Sequence, residues 1–180
     1  KIYPNHERTD YAYYLLGMCH YEQIADEKKD LGSIVDAKKN FNYVINNFSN
    51  SEFALDARFK LELIEEILAS KEMYLAQYYI EREKWIPAIN RYKNVIKNYE
   101  TSIYVEEALH RLVEIHYKIG LVEESKKYAA LLGYNYQSSD WYRESYKVFN
   151  KDYEKISKRK KEKNKKSTLD KIKSLLKNEK

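Results

Sequence analysis

Apolar side chains recur every three or four residues along most of this chain, the period of an α-helix that buries one face. Over residues 11–24 the stripe is Tyr14, Leu15, Met18, Tyr21 and Ile24, and Asp10 stands where a helix N-cap is expected. The polar run 26–32 interrupts the pattern. A second stripe of Ala37, Phe41, Val44, Ile45 and Phe48 predicts a helix over 34–48, followed by a turn at 49–51. From 53 to 83 neither Gly nor Pro occurs, and Leu61, Ile64, Leu68, Leu75, Tyr78 and Tyr79 keep the period, so one long helix is predicted. Residues 85–99 repeat the second pattern with Ala88, Ile89, Tyr92, Val95, Ile96 and Tyr99. Pro87 falls in the first turn, where a missing N–H costs nothing. A further pair spans 104–119 and 122–132, broken at Gly120. A turn is expected over 133–140 and a last helix over about 141–157.

The second helices superpose on one register: Ala37-x3-Phe41-x2-Val44, Ala88-x3-Tyr92-x2-Val95 and Ser125-x3-Ala129-x2-Leu132. Among first helices, Tyr13-x2-Leu16-Gly17 matches Leu109-x2-Leu112-Val113. Leu112 precedes Ser125 by 13 residues, the spacing within a 34-residue tetratricopeptide (TPR) unit. A small residue at the crossing lets the neighbouring helix approach, and the bulky residue four later fills the groove. The expected fold class is therefore all-α: a TPR-like α-solenoid of antiparallel helix pairs with one extended helix, plus a C-terminal helix. The pairs lie at about 10–48, 53–99 and 104–132, and the superhelical domain runs from 1 to 157. An unrelated helical bundle is the competing reading, because any α-solenoid shares the small-then-large pattern.

Composition narrows the picture. With 4 Gly and 2 Pro in 180 residues the chain cannot be an all-β sandwich or barrel, which needs a turn signal about every 8–12 residues. The net charge is +5, yet residues 158–180 alone hold 11 Lys/Arg against 3 acids. The basic character thus belongs to a tail, expected to be a disordered, solvated terminus. A tail of this kind can also bind nucleic acid or an anionic membrane. Within it Leu169, Ile172, Leu175 and Leu176 keep helical spacing. No stretch approaches the ~18 apolar residues of a membrane span.

Catalytic and metal chemistry finds little support. The single cysteine, Cys19, excludes an internal disulfide, and as a small residue in a helix it is expected to be buried in packing. Glu107-x2-His110 has the Glu-x-x-His spacing of di-iron bundles, but those need two such motifs and two further glutamates. No phosphate-binding loop, H-E-x-x-H or G-x-S-x-G occurs. A non-enzymatic binding scaffold without cofactor or metal is the expectation. The 19 tyrosines are mostly core fillers, but adjacent ones diverge by ~100° on a helix and cannot all face inward. Tyr11, Tyr13 and Tyr14 are accordingly candidates for a peptide-binding groove, where an exposed Tyr gives a large contact area at low entropic cost.

Several strings then carry a family resemblance. Residues 10–23, DYAYYLLGMCHYEQ, resemble the D-Y-A-Y-Y-x-x-G segment of the BamD (ComL-type) family of outer-membrane protein assembly lipoproteins. In the same order, EMYLAQYY (72–79), AINRYKNVIKNYETS (88–102), EEALHRLVEIHYKIGL (106–121) and LGYNYQSSDWY (132–142) are similar to further family motifs. The likeness covers roughly residues 3–150 and is greatest to the alphaproteobacterial branch. Some turn prolines of the family are Ser49, Glu100 and Gln137 here.

The resemblance implies a scaffold subunit of the β-barrel assembly machinery at the periplasmic face of the outer membrane. It would dock to POTRA domains of the BamA-type barrel subunit, meet other lipoproteins of that machinery and assist folding and insertion of unfolded outer-membrane proteins. Arg91 matches the family's N-R pair, and Lys97, Glu107, Arg111 and Glu114 would extend the POTRA side. For the last three, salt bridges within the solenoid are an equal alternative. The tyrosines 11, 13 and 14 would face the client. The chain is expected to begin inside the family's second repeat, with the lipid-bearing N-terminal cysteine upstream of it. Nucleic acid is not an expected partner on this reading. A cytosolic TPR adaptor with a nucleic-acid- or membrane-binding tail is the alternative.

Overall fold

The computed structural model describes residues 6–24 and 32–150, and the basic tail 158–180 lies outside the described residues. Among those described, all regular structure is helical: α1 (Thr9–Tyr21), α2 (Gly32–Asn47), α3 (Glu52–Ile80), α4 (Trp85–Asn98), α5 (Val105–Lys118), α6 (Val122–Asn135) and α7 (Asp140–Phe149). Short turns join α3 to α4 and α5 to α6, and successive helices pack as pairs, so the fold is the expected all-α, TPR-like helix repeat. The chain divides into two compact units, Lys1–Ala108 and Leu109–Lys180.

In the first unit α1 lies antiparallel to α2. Tyr13 near the start of α1 stacks on Tyr43 near the end of α2, with ring centroids 4.0 Å apart. Gln23, just past α1, takes the hydroxyl of Ser33 at the other end. Phe41 is fully buried against Gly17, where an added Cβ would stand 2.6 Å from the ring. Ile34, Ala37, Ala57 and Ile64 complete this core, and Tyr14, Met18, Tyr21 and Leu61 pack onto it. Along α3 the small residues Ala54, Ala57, Ala69 and Ala76 are all fully buried, so neighbouring helices can approach this long rod. Ser51 caps α3 by accepting a hydrogen bond from the Phe53 N–H, and its hydroxyl donates to Asp10 at 2.6 Å.

The α3–α4 hairpin turns on Glu83, which adopts a left-handed φ of 55°. The Lys84 N–H donates back to the Tyr79 carbonyl, closing the end of α3 as a Schellman cap. α5 ends in the same way at Gly120 (φ 85°), with the Leu121 N–H on the His116 carbonyl. A glutamate therefore holds a conformation that costs an ordinary residue roughly 1 kcal/mol and glycine almost nothing. The loop after α4 is tied to α3 through Glu66, which accepts from the Ser102 hydroxyl and the Ile103 N–H.

In the second unit Leu109, Leu112, Val113, Ile115 and Leu132 form the apolar core. Ser125 occupies the small-residue position of the register and is fully buried, its hydroxyl donating to the Val113 carbonyl at 2.7 Å. His110 is buried with Nδ1 2.9 Å from the Ser145 hydroxyl, which joins α7 to α5.

Several local expectations need correction. Asp10 is not the N-cap of α1: the cap is Arg8, and Asp10 lies in the first turn, bonded to the Tyr11 N–H and to Ser51. Leu15 is 41% exposed, and Cys19 is exposed rather than buried, because α1 turns Tyr14, Gly17, Met18 and Tyr21 inward. Leu16 is 50% exposed although its register partner Leu112 is fully buried. Helix α6 runs through Gly133 to Asn135 instead of ending at Leu132. There the glycine admits the Tyr142 ring, which a Cβ would meet at 2.6 Å. α7 ends at Phe149, with Asn150 out of helical conformation. The rest of the helix expected to residue 157 lies outside the described residues.

Candidate functional site

A groove of about 430 Å³ runs along the α3–α4 hairpin. Helix α4 contributes Ile86 and Pro87 at one end, then Asn90, Arg91, Lys93, Asn94 and Lys97, all on one face of the helix. The opposite face of α4 carries Ala88, Tyr92 and Val95 into the core, which fixes the polar row outward. Helix α3 supplies Glu72 and Tyr79. Three cations line the groove against one carboxylate, so it favours an anionic occupant. Lys97 lies in the last turn of α4, where the helix dipole also favours a cation.

Arg91 is held across the hairpin. Its Nη1 donates to both oxygens of Glu72, each at 3.2 Å. The Glu72 side chain is 14% exposed and that of Arg91 39%. Tyr99, at the end of α4, has its phenol pushed up first by burial and then by the negative charges of Glu72 and Glu65.

Of the predicted partner-facing residues, Arg91 and Lys97 thus share one groove. In the second unit Arg111 and Glu114 are paired with each other at 2.8 Å, and the Arg111 guanidinium lies 5.5 Å from the centre of the Trp141 ring. Burial pushes the Glu114 carboxyl up, but hydrogen bonds from His110 and Arg111 outweigh it and hold the group below its usual range. Glu107 stands half-buried in the first turn of α5.

The three tyrosines diverge as helix geometry requires. Tyr11 is 40% exposed, its ring 5.1 Å from Phe53. Tyr13 is half-buried on Tyr43. Tyr14 is half-buried between Phe41 and Phe53, and its hydroxyl donates to Asp56 at 2.5 Å. That burial, reinforced by the Asp56 bond and charge, pushes the Tyr14 phenol up to about 12. Tyr11 therefore offers the most accessible ring of the three.

Sequence reasoning missed Glu72 as a partner of Arg91. The signal was partly available: residues 72 and 91 lie on either side of the 81–84 turn, eight residues before the end of α3 and six after the start of α4, where an antiparallel hairpin brings the two helices side by side. It also missed a second groove of about 400 Å³ between α6 and α7. Lys126, Ala129, Ala130 and Gly133 form one wall, Tyr142, Tyr146 and Phe149 the other, and Asn150 lies at its end. Among the described residues no cluster of three His, Cys, Asp or Glu side chains could hold a metal ion. None of their helices is long and apolar enough to cross a membrane.

Packed helix pairs of this kind define a TPR-like helical repeat protein. The sequence model of the YfiO family, described as outer membrane lipoprotein, matches residues 1–132, and the chain belongs to that family. It is 38% identical over 149 residues to the outer membrane protein assembly factor BamD of Caulobacter vibrioides, covering 83% of this chain and 49% of that protein. To the factor of the same name from Rickettsia prowazekii it is 39% identical over 147 residues, covering 82% and 59%. The corresponding protein of Neisseria gonorrhoeae is 31% identical over 128 residues, covering 66% and 48%. The chain thus spans about half the length of the curated relatives it matches.

Proposed function

We propose that this chain serves as a non-enzymatic scaffold in a β-barrel assembly machinery, at the periplasmic face of the outer membrane. It docks to a POTRA domain of the BamA-type barrel subunit through the α3–α4 groove and works alongside other lipoproteins of the machinery. Residues 1–157 form the TPR-like domain that does this, and 158–180 are a basic appendage to it. The observation that carries the reading is Arg91. It sits in a chain of this family, two-fifths exposed in a groove whose other cations are Lys93 and Lys97. Arg111 and Glu114, paired with each other in the second unit, and Glu107 in the first turn of α5 are further candidates for contact with the barrel subunit. Tyr11, with Tyr13 and Tyr14 behind it, belongs to the surface offered to unfolded outer-membrane clients. Membership of a family of outer membrane lipoproteins disfavours the cytosolic adaptor.

The test is charge reversal at the groove. Arg91→Glu places a carboxylate beside Glu72 and opposite the partner's acids, so capture of an isolated POTRA fragment at low salt should weaken about ten-fold or more. Unchanged affinity would sink the assignment. Added salt should weaken the wild-type complex and leave the variant nearly indifferent.

A further inference from the structure

We propose that Glu72 is a positioning residue for Arg91: it clamps one nitrogen of the guanidinium and presents the rest of the fork to the partner already ordered. The inference rests on the docking role proposed for Arg91 and adds a second residue to it.

The clamp crosses the hairpin, since Glu72 is on α3 and Arg91 on α4. Both Glu72 oxygens take Nη1, each at 3.2 Å, while Nε and Nη2 have no partner among the described residues. A guanidinium carries five N–H donors in a rigid plane, so fixing one nitrogen orients the others. Glu72 is the more covered partner, 14% against 39% exposed, and a covered carboxylate does not readily give up its cation. Arg91 therefore meets an incoming carboxylate without leaving Glu72. Without the clamp, the interface would have to immobilise a long side chain, at a cost of about 2- to 12-fold in affinity.

One effect opposes this. The charge of Glu72 also repels an acidic partner. Lys93 and Lys97 line the same groove and make no ion pair among the described residues, so three cations still face one carboxylate and the groove stays positive. The ordering effect then decides the sign, and removing Glu72 should weaken docking. The raised Tyr99 phenol gives an internal gauge of the Glu72 charge.

The experiment uses the full chain as wild type, Glu72→Ala, Glu72→Gln and Arg91→Ala. Titration with the isolated POTRA fragment is combined with NMR of the Arg91 side-chain N–H groups in the free chain. Glu72→Ala should lower affinity about five-fold and mobilise the Arg91 side chain. Glu72→Gln keeps the volume and one acceptor oxygen, so it should fold as wild type and recover part of both losses. Both variants should lower the Tyr99 pKa, which shows that the charge has gone. Unchanged or tighter capture by Glu72→Ala, with Arg91→Ala still defective, overturns the positioning role and leaves the docking role standing. Unchanged capture by Arg91→Ala overturns both. An Arg91 side chain that stays equally ordered without Glu72 overturns the clamp whatever the fragment does.

Discussion

Two glycines lie under two aromatic rings in this molecule, and the contacts look alike. An added Cβ at Gly17 would stand 2.6 Å from Phe41, and one at Gly133 would stand 2.6 Å from Tyr142. The surroundings differ. Phe41 is fully buried, held between α1, α2 and the Ala57–Ile64 face of α3. Tyr142 is half-buried and borders an open groove of about 400 Å³, edge-on to the exposed Tyr146. A close approach locks a structure only when the ring has nowhere to go. The α1–α2 seam is on this view a closed joint, and the α6–α7 seam an adjustable one.

The largest effect should come from emptying the closed joint. Phe41→Ala removes a fully buried ring over a glycine that offers nothing to fill the space, and should cost about 3–5 kcal/mol. Denaturation followed through Trp85, with Trp141 replaced by Phe, reads the first unit by itself. A loss below about 1.5 kcal/mol would mean that the joint collapses and is not rigid.

Overfilling the same joint comes next. Gly17→Ala regains about 1 kcal/mol of helix propensity but drives a methyl into a ring that cannot retreat, at about 1–3 kcal/mol. The net loss should reach about 2 kcal/mol. In the Phe41→Ala background the same change should be stabilising, because the obstruction has gone. Additive effects in the double variant would show that ring and glycine do not oppose one another.

Tyr14 borders this joint and supplies its polar bond. Removing the hydroxyl in Tyr14→Phe should cost about 0.5–1.5 kcal/mol near neutral pH. Because folding raises this phenol from 10 to about 12, its contribution is fully present below pH 10 and is lost as pH rises through 12. The stability gap between wild type and Tyr14→Phe should accordingly stay constant up to about pH 10 and shrink between about pH 10 and about pH 12. A constant gap would show that the Asp56 bond does not depend on the phenol proton.

These contrasts also mark what the sequence could disclose. The register Ala37–Phe41–Val44, and its counterpart Ala88–Tyr92–Val95, was legible because burial follows the helical period: all six residues are buried almost completely. Helix α1 was harder to read. It carries apolar residues around more of its girth, including Tyr11, Leu15 and Leu16, so periodicity alone could not choose the inward stripe. Asp10 looked like a local cap, whereas its carboxylate meets Ser51, 41 residues away. Arg91 was found through a motif, but its clamp was not, because Glu72 becomes its neighbour only when the hairpin closes. Gly133 was ambiguous in kind, since glycine both ends helices and admits rings.

That ambiguity sets up the smallest predicted effect. Gly133 lies in the last turn of α6, where alanine would gain at most about 1 kcal/mol of helix propensity. The methyl would meet Tyr142 at ring carbons Cε2 and Cζ and at the hydroxyl, the outer end of a side chain that can swing towards the groove. The two terms nearly cancel, and Gly133→Ala should change stability by less than about 0.5 kcal/mol, read through Trp141 with Trp85 replaced by Phe. The ring should move all the same, visible as shifted Tyr142 and Tyr146 resonances. A loss as large as that of Gly17→Ala would mean that the Tyr142 ring is held as firmly as Phe41, and the distinction between closed and adjustable joints would fail.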